Sequence, residues 1–236
     1  MKFKLGLCPA RWERPNITEL ERFMHDPLVV DAYLLPEAYI AEEKLEDIKI
    51  LARNNGKWIF SGMKGSDGNQ YAIAIDNNGE EIHRHLKLVL SSYEFDGGSV
   101  QRGKEVSAFD TPWGKMGFLL CYEIRFPEIA RRMKEKGVKI FLNPIGDGGD
   151  DKDGVELWAE IGRIRGLDNT CYIAGVSHSH TPNFIVYAAN TKGDFIYNSD
   201  QRVDMTRATF DMDLFPTRED DKYIQTEIEY INREVS

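Results

Sequence analysis

Three side chains in this sequence could carry covalent chemistry if the fold brought them together: a thiol, a carboxylate and an ammonium. Cys121 ends the apolar run Lys115 to Cys121. It is followed at once by Tyr122-Glu123-Ile124-Arg125 and then by Pro127, a favoured first residue of a helix. A cysteine at a strand-to-helix junction lies where side chains leave a sheet for a crevice, and nearby peptide N–H groups there stabilise a thiolate or an oxyanion. Two charges directly after a buried strand point to a polar crevice. Cys8 and Cys171 lack such a cluster and read as buried, inert thiols.

A cysteine nucleophile needs a base for its proton and a donor for the oxyanion. Besides His25, the histidines fall into two His-x-His pairs, His83/His85 and His178/His180, in or beside strands where alternate residues share a face. Neither pair has a carboxylate at a recognisable interval, so both read as surface or satisfied core histidines and no metal site is expected. Glu37, past Pro36 at the end of a buried strand, and Lys87, inside the apolar run Leu86 to Leu90, are better placed. A charge in either position is costly unless paired, and pairing the two satisfies both. With Cys121 they make a Glu–Lys–Cys set.

The elements that must position this set alternate between helix and strand. Asn16 and Glu19 begin a helix that stops before Pro27, and Leu28 to Leu35 reads as a buried strand. A second helix around Leu45, Ile48 and Ala52 ends at Asn54-Asn55-Gly56, and Lys57 to Met63 is a strand. A hairpin pairs Tyr71 to Ile75 with Glu80 to Val89, and a second strand pair joins Val106 to Asp110 with Lys115 to Cys121. Pro127 to Gly137 is a helix, Val138 to Asn143 a strand, Val155 to Leu167 a helix and Thr170 to Ser177 a strand. A last hairpin turns on Lys192-Gly193, Arg207 to Leu214 follows, and a polar tail begins near 215. This order implies an α/β fold, with sheet covered by helices, in a single domain over 1–236.

The 30 Lys and Arg against 39 Asp and Glu give a net charge of −9, and no basic excess marks a nucleic-acid surface. The odd count of three cysteines fits a reducing compartment, and no apolar run approaches the ~20 residues of a membrane span, so a cytoplasmic protein is expected. The stretch Gly146 to Gly154, with Asp147, Asp150, Asp151 and Asp153, lacks the ligand order of an EF-hand and reads as an acidic loop. Arg125 reads as structural, paired with a neighbouring carboxylate.

Three separated motifs together resemble the carbon–nitrogen hydrolase family, or nitrilase superfamily. They are Leu35-Pro36-Glu37, Lys87-Leu88-Val89-Leu90, and Phe109-Asp110-Thr111-Pro112-Trp113-Gly114 leading to Cys121-Tyr122-Glu123-Ile124-Arg125-Phe126-Pro127-Glu128. Asn143-Pro144, Trp158 and Arg163 to Asn169 resemble its downstream segments. The context of Cys121 is closest to the amidase branch. The resemblance implies a four-layer αββα sandwich, no cofactor, a small-molecule amide as substrate and a homodimer. It implies Glu37 as general base, Lys87 as oxyanion cation and Cys121 as nucleophile, with the N–H of Tyr122 as a second oxyanion donor. N-carbamoyl or nitrile hydrolysis, and a silent binding protein, are the alternatives. The family's lysine usually reads Tyr-x-Lys-x-His-Leu. Here His83-Arg84-His85-Leu86-Lys87-Leu88 leaves either His85 or Lys87 for the lysine position. Glu94 or Glu105 is the candidate second glutamate, and Glu123 stands where Asp is more usual.

Overall fold

The structure is a computed structural model that describes residues 1–11, 17–91, 94, 100–146, 152–179, 184–198, 205–214 and 218–234. Its first sheet contains β1 (Lys2–Leu7), β2 (Ala32–Leu34), β3 (Ile40–Ala41), β4 (Trp58–Lys64), β5 (Gln70–Ile75), β6 (Glu81–Leu86) and β13 (Thr206–Asp211). Its second contains β7 (Phe109–Thr111), β8 (Gly114–Phe118), β9 (Ile140–Pro144), β10 (Tyr172–Val176), β11 (Val186–Ala189) and β12 (Phe195–Asn198). The strand orders are β13-β1-β2-β4-β5-β6, with β3 beside β4, and β12-β11-β10-β9-β8-β7. The helices are α1 (Ile17–Met24), α2 (Leu45–Asn55), α3 (Pro127–Glu135), α4 (Lys152–Asp168) and α5 (Arg218–Glu234).

Alternation along the strands builds the layers. In β1, Phe3, Leu5 and Leu7 point one way; with Leu34, Phe60, Phe118, Leu142 and Ala174 they fill the space between the two sheets. Residues of the opposite parity, such as Tyr33, Ile59 and Ile73, pack against Leu20 and Phe23 of α1 and Ile48 and Ala52 of α2. On the far side Phe141 and Ile173 meet Ile129 and Met133 of α3 and Ala159 of α4. Three apolar layers between four structural layers give the αββα sandwich that the resemblance implied.

Each sheet has a parallel centre: β1, β2 and β4 in the first, β8, β9 and β10 in the second. Because β5 is antiparallel to both β4 and β6, β6 runs in the direction of β2 and β4. The C-terminal ends of β2 and β6 therefore lie at one edge of their sheet, where ligand sites form in such folds.

Several boundaries differ from the sequence expectation. The apolar run Leu28 to Leu35 is strand only at Ala32–Leu34. Asp26 Oδ1 accepts the N–H of Leu28 in an Asx turn and Asp31 Oδ2 accepts that of Lys4, so Leu28 and Val29 are spent in an exposed turn. β6 stops at Leu86, not Val89, and β8 stops at Phe118, not Cys121: Lys87 and Leu119 still donate to the neighbouring strands, at Gln70 and Leu142, and the N–H groups of Leu88 and Leu120 then leave the ladders for Glu123. The polar tail is a helix, α5, with Ile224, Ile228 and Ile231 as its apolar stripe beside Arg131 and Asp168. Among the described residues no helix is long and apolar enough to cross a membrane. Asn16, His180, Asp147, Asp150 and Asp151 lie outside the described residues, as does the side chain of Asp153.

Candidate active site

Glu37 follows β2 in a turn built by close approach. The N–H of Gly62 donates to the carbonyl of Pro36 at 3.0 Å, and a Cβ at Gly62 would stand 2.3 Å from Cα of Glu37. Only glycine lets β4 pass so near. The next residue, Ala38, is held at φ 53°. From the second sheet, Ile145 accepts the N–H of Glu37 at 3.2 Å, and Nε2 of His178 lies 2.6 Å from the Glu37 carbonyl oxygen, as its donor. The carboxylate is thus fixed at both its backbone groups, and it is buried.

Lys87 is buried too, and its Nζ donates to Glu37 Oε1 at 2.7 Å and to both oxygens of Glu94 at 2.8 Å. Glu94 is oriented by the N–H and hydroxyl of Ser91, at 2.7 and 2.9 Å. Of the two candidate lysine-position residues, Lys87 reaches Glu37, while His85 turns to Glu123 at 3.0 Å. Of the two candidate glutamates, Glu94 pairs with Lys87, while Glu105 is exposed in an open cleft of about 880 Å³ that it shares with Leu88, Val106, Phe126 and Arg132.

Cys121 begins a short 3-10 turn, Cys121–Arg125, and sits at φ 48°. That left-handed conformation costs a non-glycine residue roughly 1–3 kcal/mol, so the surroundings must enforce it. Asn143 at the end of β9 does so: its Nδ2 donates to the carbonyls of Leu119 and Cys121, and its Oδ1 accepts from the buried Tyr187 hydroxyl at 3.0 Å. Tyr187 fits only because Gly162 and Gly175 leave space; a Cβ at either would stand 2.3 Å from its ring. The thiol hydrogen-bonds to Glu37 and meets the N–H of Gly146, so Asn143 to Gly146 touches both Glu37 and Cys121.

Electrostatics sort the protons. Burial raises the Glu37 pKa above the usual carboxylate range, against the opposing pull of Lys87. Burial would lower the pKa of Lys87, but the charges of Glu37 and Cys121 and the bonds to both carboxylates raise it on balance. Burial opposes ionisation of Glu94, yet Lys87 and Ser91 leave its pKa lowered. Burial and then the charge of Glu37 push the Cys121 thiol up, with Lys87 opposing. The resting arrangement is a neutral thiol against a carboxylate, beside a lysine held as a cation. It can transfer a proton from sulfur to Glu37 and present a cation to a developing oxyanion.

The charges after Cys121 divide unexpectedly. Glu123 is buried and turns inward, whereas Arg125 is exposed, lies 5.1 Å from the Tyr122 ring and donates to its hydroxyl at 3.1 Å. Arg125 therefore pairs with an aromatic ring, where the sequence suggested a carboxylate. The Tyr122 ring also lies 6.4 Å from that of Trp158. His178, Gly62 and Tyr187 support the site without any motif announcing them, and the Asn143-Pro144 segment of the resemblance carried no role for Asn143. The buried glycines of β4 and β10 were the one local signal, since glycine inside a strand marks close approach.

The sequence profile of the family described as carbon-nitrogen hydrolase matches residues 29–203, which include all four clustered side chains. The chain belongs to the carbon-nitrogen hydrolase family. Among its relatives, the nitrilase and fragile histidine triad fusion protein of Caenorhabditis elegans is 26% identical over 196 residues, covering 74% of this chain and 44% of that protein. An omega-amidase of Xenopus tropicalis is 27% identical over 149 residues, 58% of this chain and 53% of the relative. The chain thus spans about half the length of these relatives. A carbon-nitrogen hydrolase of Helicobacter pylori G27 superposes with a TM-score of 0.80 at 14% identity, covering 100% of this chain and 96% of that one. A variant of the amidase from Nesterenkonia sp. AN1, carrying the acetamide moiety of fluoroacetamide on its active site cysteine, superposes at 0.78 and 17% identity, covering 100% and 97%. These likenesses establish the fold of this family member.

Proposed function

We propose that this protein hydrolyses the carbon–nitrogen bond of a small linear amide through a thioester on Cys121, releasing ammonia and a carboxylic acid. The observation that carries the reading is the contact of the Cys121 thiol with Glu37, whose carboxylate is held 2.7 Å from the Lys87 ammonium. Glu37 takes the thiol proton as sulfur attacks the amide carbon. The carbonyl oxygen, now negative, is met by Lys87 and the backbone N–H of Tyr122. Collapse breaks the carbon–nitrogen bond, and Glu37 returns its proton to the departing nitrogen. Water then gives a proton to Glu37 and its hydroxide to the thioester carbon; the carbon–sulfur bond breaks, and the sulfur regains its proton. Glu94 keeps Lys87 in place and charged throughout. Relatives named as amidases, and an amidase of the same fold with an adduct on its active site cysteine, support this reading.

Monoamides of short dicarboxylic acids, assayed for ammonia and quenched for intact-mass analysis, test it. Wild-type protein is expected to release ammonia and to carry an acyl adduct on the Cys121 peptide; Cys121→Ala is expected to do neither. Undiminished ammonia release by Cys121→Ala would sink the proposal.

A further inference from the structure

His85 and Glu123 form a buried pair that stands beside the clustered side chains without belonging to them. One oxygen of Glu123, Oε1, accepts the N–H of Leu88 at 2.6 Å; the other, Oε2, accepts the N–H of Leu120 at 2.7 Å. Nε2 of His85 lies 3.0 Å from both oxygens and is the third donor. Leu88 follows Lys87, and Leu120 precedes Cys121. A single carboxylate therefore holds the peptide next to the lysine and the peptide next to the cysteine. These peptides come from different sheets: Leu88 extends the chain beyond β6, and Leu120 extends it beyond β8.

Packing alone does not account for the pair. An apolar side chain at 123 would leave two backbone N–H groups without an acceptor, and an unpaired buried carboxylate would be costlier still. His83, two residues earlier on the same strand, shows what a histidine there does when it only fills space. Its ring stacks on Phe109 at 4.8 Å and lies 6.3 Å from Phe118, and its Nε2 is 2.8 Å from the Ser107 hydroxyl. Its hydrogen bond and ring contacts run to Ser107, Phe109 and Phe118.

We propose that Glu123, oriented by His85, is a positioning residue that fixes the Lys87 ammonium relative to the Cys121 sulfur across the two sheets. The proposal rests on the reading of Lys87 as oxyanion cation and Cys121 as nucleophile. Neither His85 nor Glu123 touches substrate. Lys87 is already tied to its own sheet by its N–H, which donates to Gln70 of β5 at 3.0 Å, while its carbonyl accepts the N–H of Gly103, in the loop before β7, at 2.8 Å. Glu123 supplies the tie to the other sheet.

Glu123→Gln keeps the shape but offers one acceptor oxygen, so its amide nitrogen must face the N–H of Leu88 or Leu120. It is expected to lower kcat by about 10²-fold, the scale for a misplacement near 1 Å, with KM little changed. The deciding measurement is a double-mutant cycle with Lys87→Met, read both as kcat and as the rate of Cys121 alkylation by iodoacetamide, followed by peptide mass. If Glu123 acts through Lys87, Glu123→Gln shifts both rates in wild-type protein and adds nothing in the Lys87→Met background. A full, additive loss in that background, or a wild-type alkylation rate in Glu123→Gln, would overturn the proposal. The alkylation arm reads out even if no amide is turned over, which separates failure of this inference from failure of the amidase reading. If Glu123→Gln does not fold, the comparison passes to His85→Gln, which retains an amide donor, and His85→Leu, which does not. His85→Gln is expected to keep most of the kcat that His85→Leu loses, and equal values in the two would refute the role.

Discussion

The two sheets contribute unlike halves of the site. The first supplies charge: Glu37 after β2, with Lys87 and Glu94 on the chain beyond β6, each buried or partly buried, and both carboxylates ion-paired to Lys87. The second supplies the proposed nucleophile and the backbone that aims it: Cys121 at φ 48°, Asn143 on its flanking carbonyls, and the peptides of Ile145 and Gly146. Charges in a dry interior depend on one another, so removing one strands the rest. A strained nucleophile depends on its scaffold, and its own side chain contributes little to the fold. The expected result is a charged half whose chemistry and stability fail together, and a nucleophilic half where they separate.

Lys87→Met tests the first part and carries the largest effect. It removes the proposed oxyanion cation, with an expected loss of roughly 10²–10³ in kcat. It also leaves Glu37 buried beside Glu94 without a counter-charge, a cost of about 3–5 kcal/mol in urea unfolding. Adding Glu37→Gln is expected to restore much of that stability and none of the rate. Equal stability of wild type and Lys87→Met would show that the charges are not interdependent.

The pH profile examines the same half from another side. In the proposed mechanism Glu37 works deprotonated, and burial raises its pKa above the ordinary 4.5, so the base is expected to be lost as pH falls through a value above 4.5. The acid limb of kcat/KM is expected there, and it should vanish in Glu37→Gln along with most of the activity. A limb at or below 4.5 would mean that Lys87 outweighs burial.

In the nucleophilic half, Asn143→Leu removes the donor to the Leu119 and Cys121 carbonyls and strands the Tyr187 hydroxyl. It is expected to cost about 1–3 kcal/mol and to lower kcat with KM held. The smallest effect on stability belongs to Cys121 itself. Cys121→Gly is expected to be inactive yet more stable than Cys121→Ala by about 1 kcal/mol, since glycine adopts the left-handed backbone without strain. A glycine variant less stable than the alanine one would place the strain elsewhere.

The sequence marked Cys121 by the charges following an apolar strand, and Glu37 and Lys87 by the cost of charge within apolar runs. It did not mark their supports. His178 and Asn143 act on backbone carbonyls that are far away in sequence, and such partners leave no periodic or compositional trace. The inward turn of Glu123 was misread as crevice polarity because a buried carboxylate and a solvated one look identical until the donors around it are known. Leu28 and Val29 resembled strand because apolar residues read as buried; two aspartates redirected that stretch into a turn.

By itself, then, the sequence determined the alternation of strands and helices and marked a thiol, a carboxylate and an ammonium as a candidate set, because these follow from local periodicity and local cost; the four-layer sandwich came from the resemblance. Only the tertiary structure shows that Lys87 and not His85 reaches Glu37, and that Glu94 and not Glu105 pairs with Lys87. Both choices turn on which side chain spans a few ångströms between separate strands, and no spacing along the chain encodes that distance.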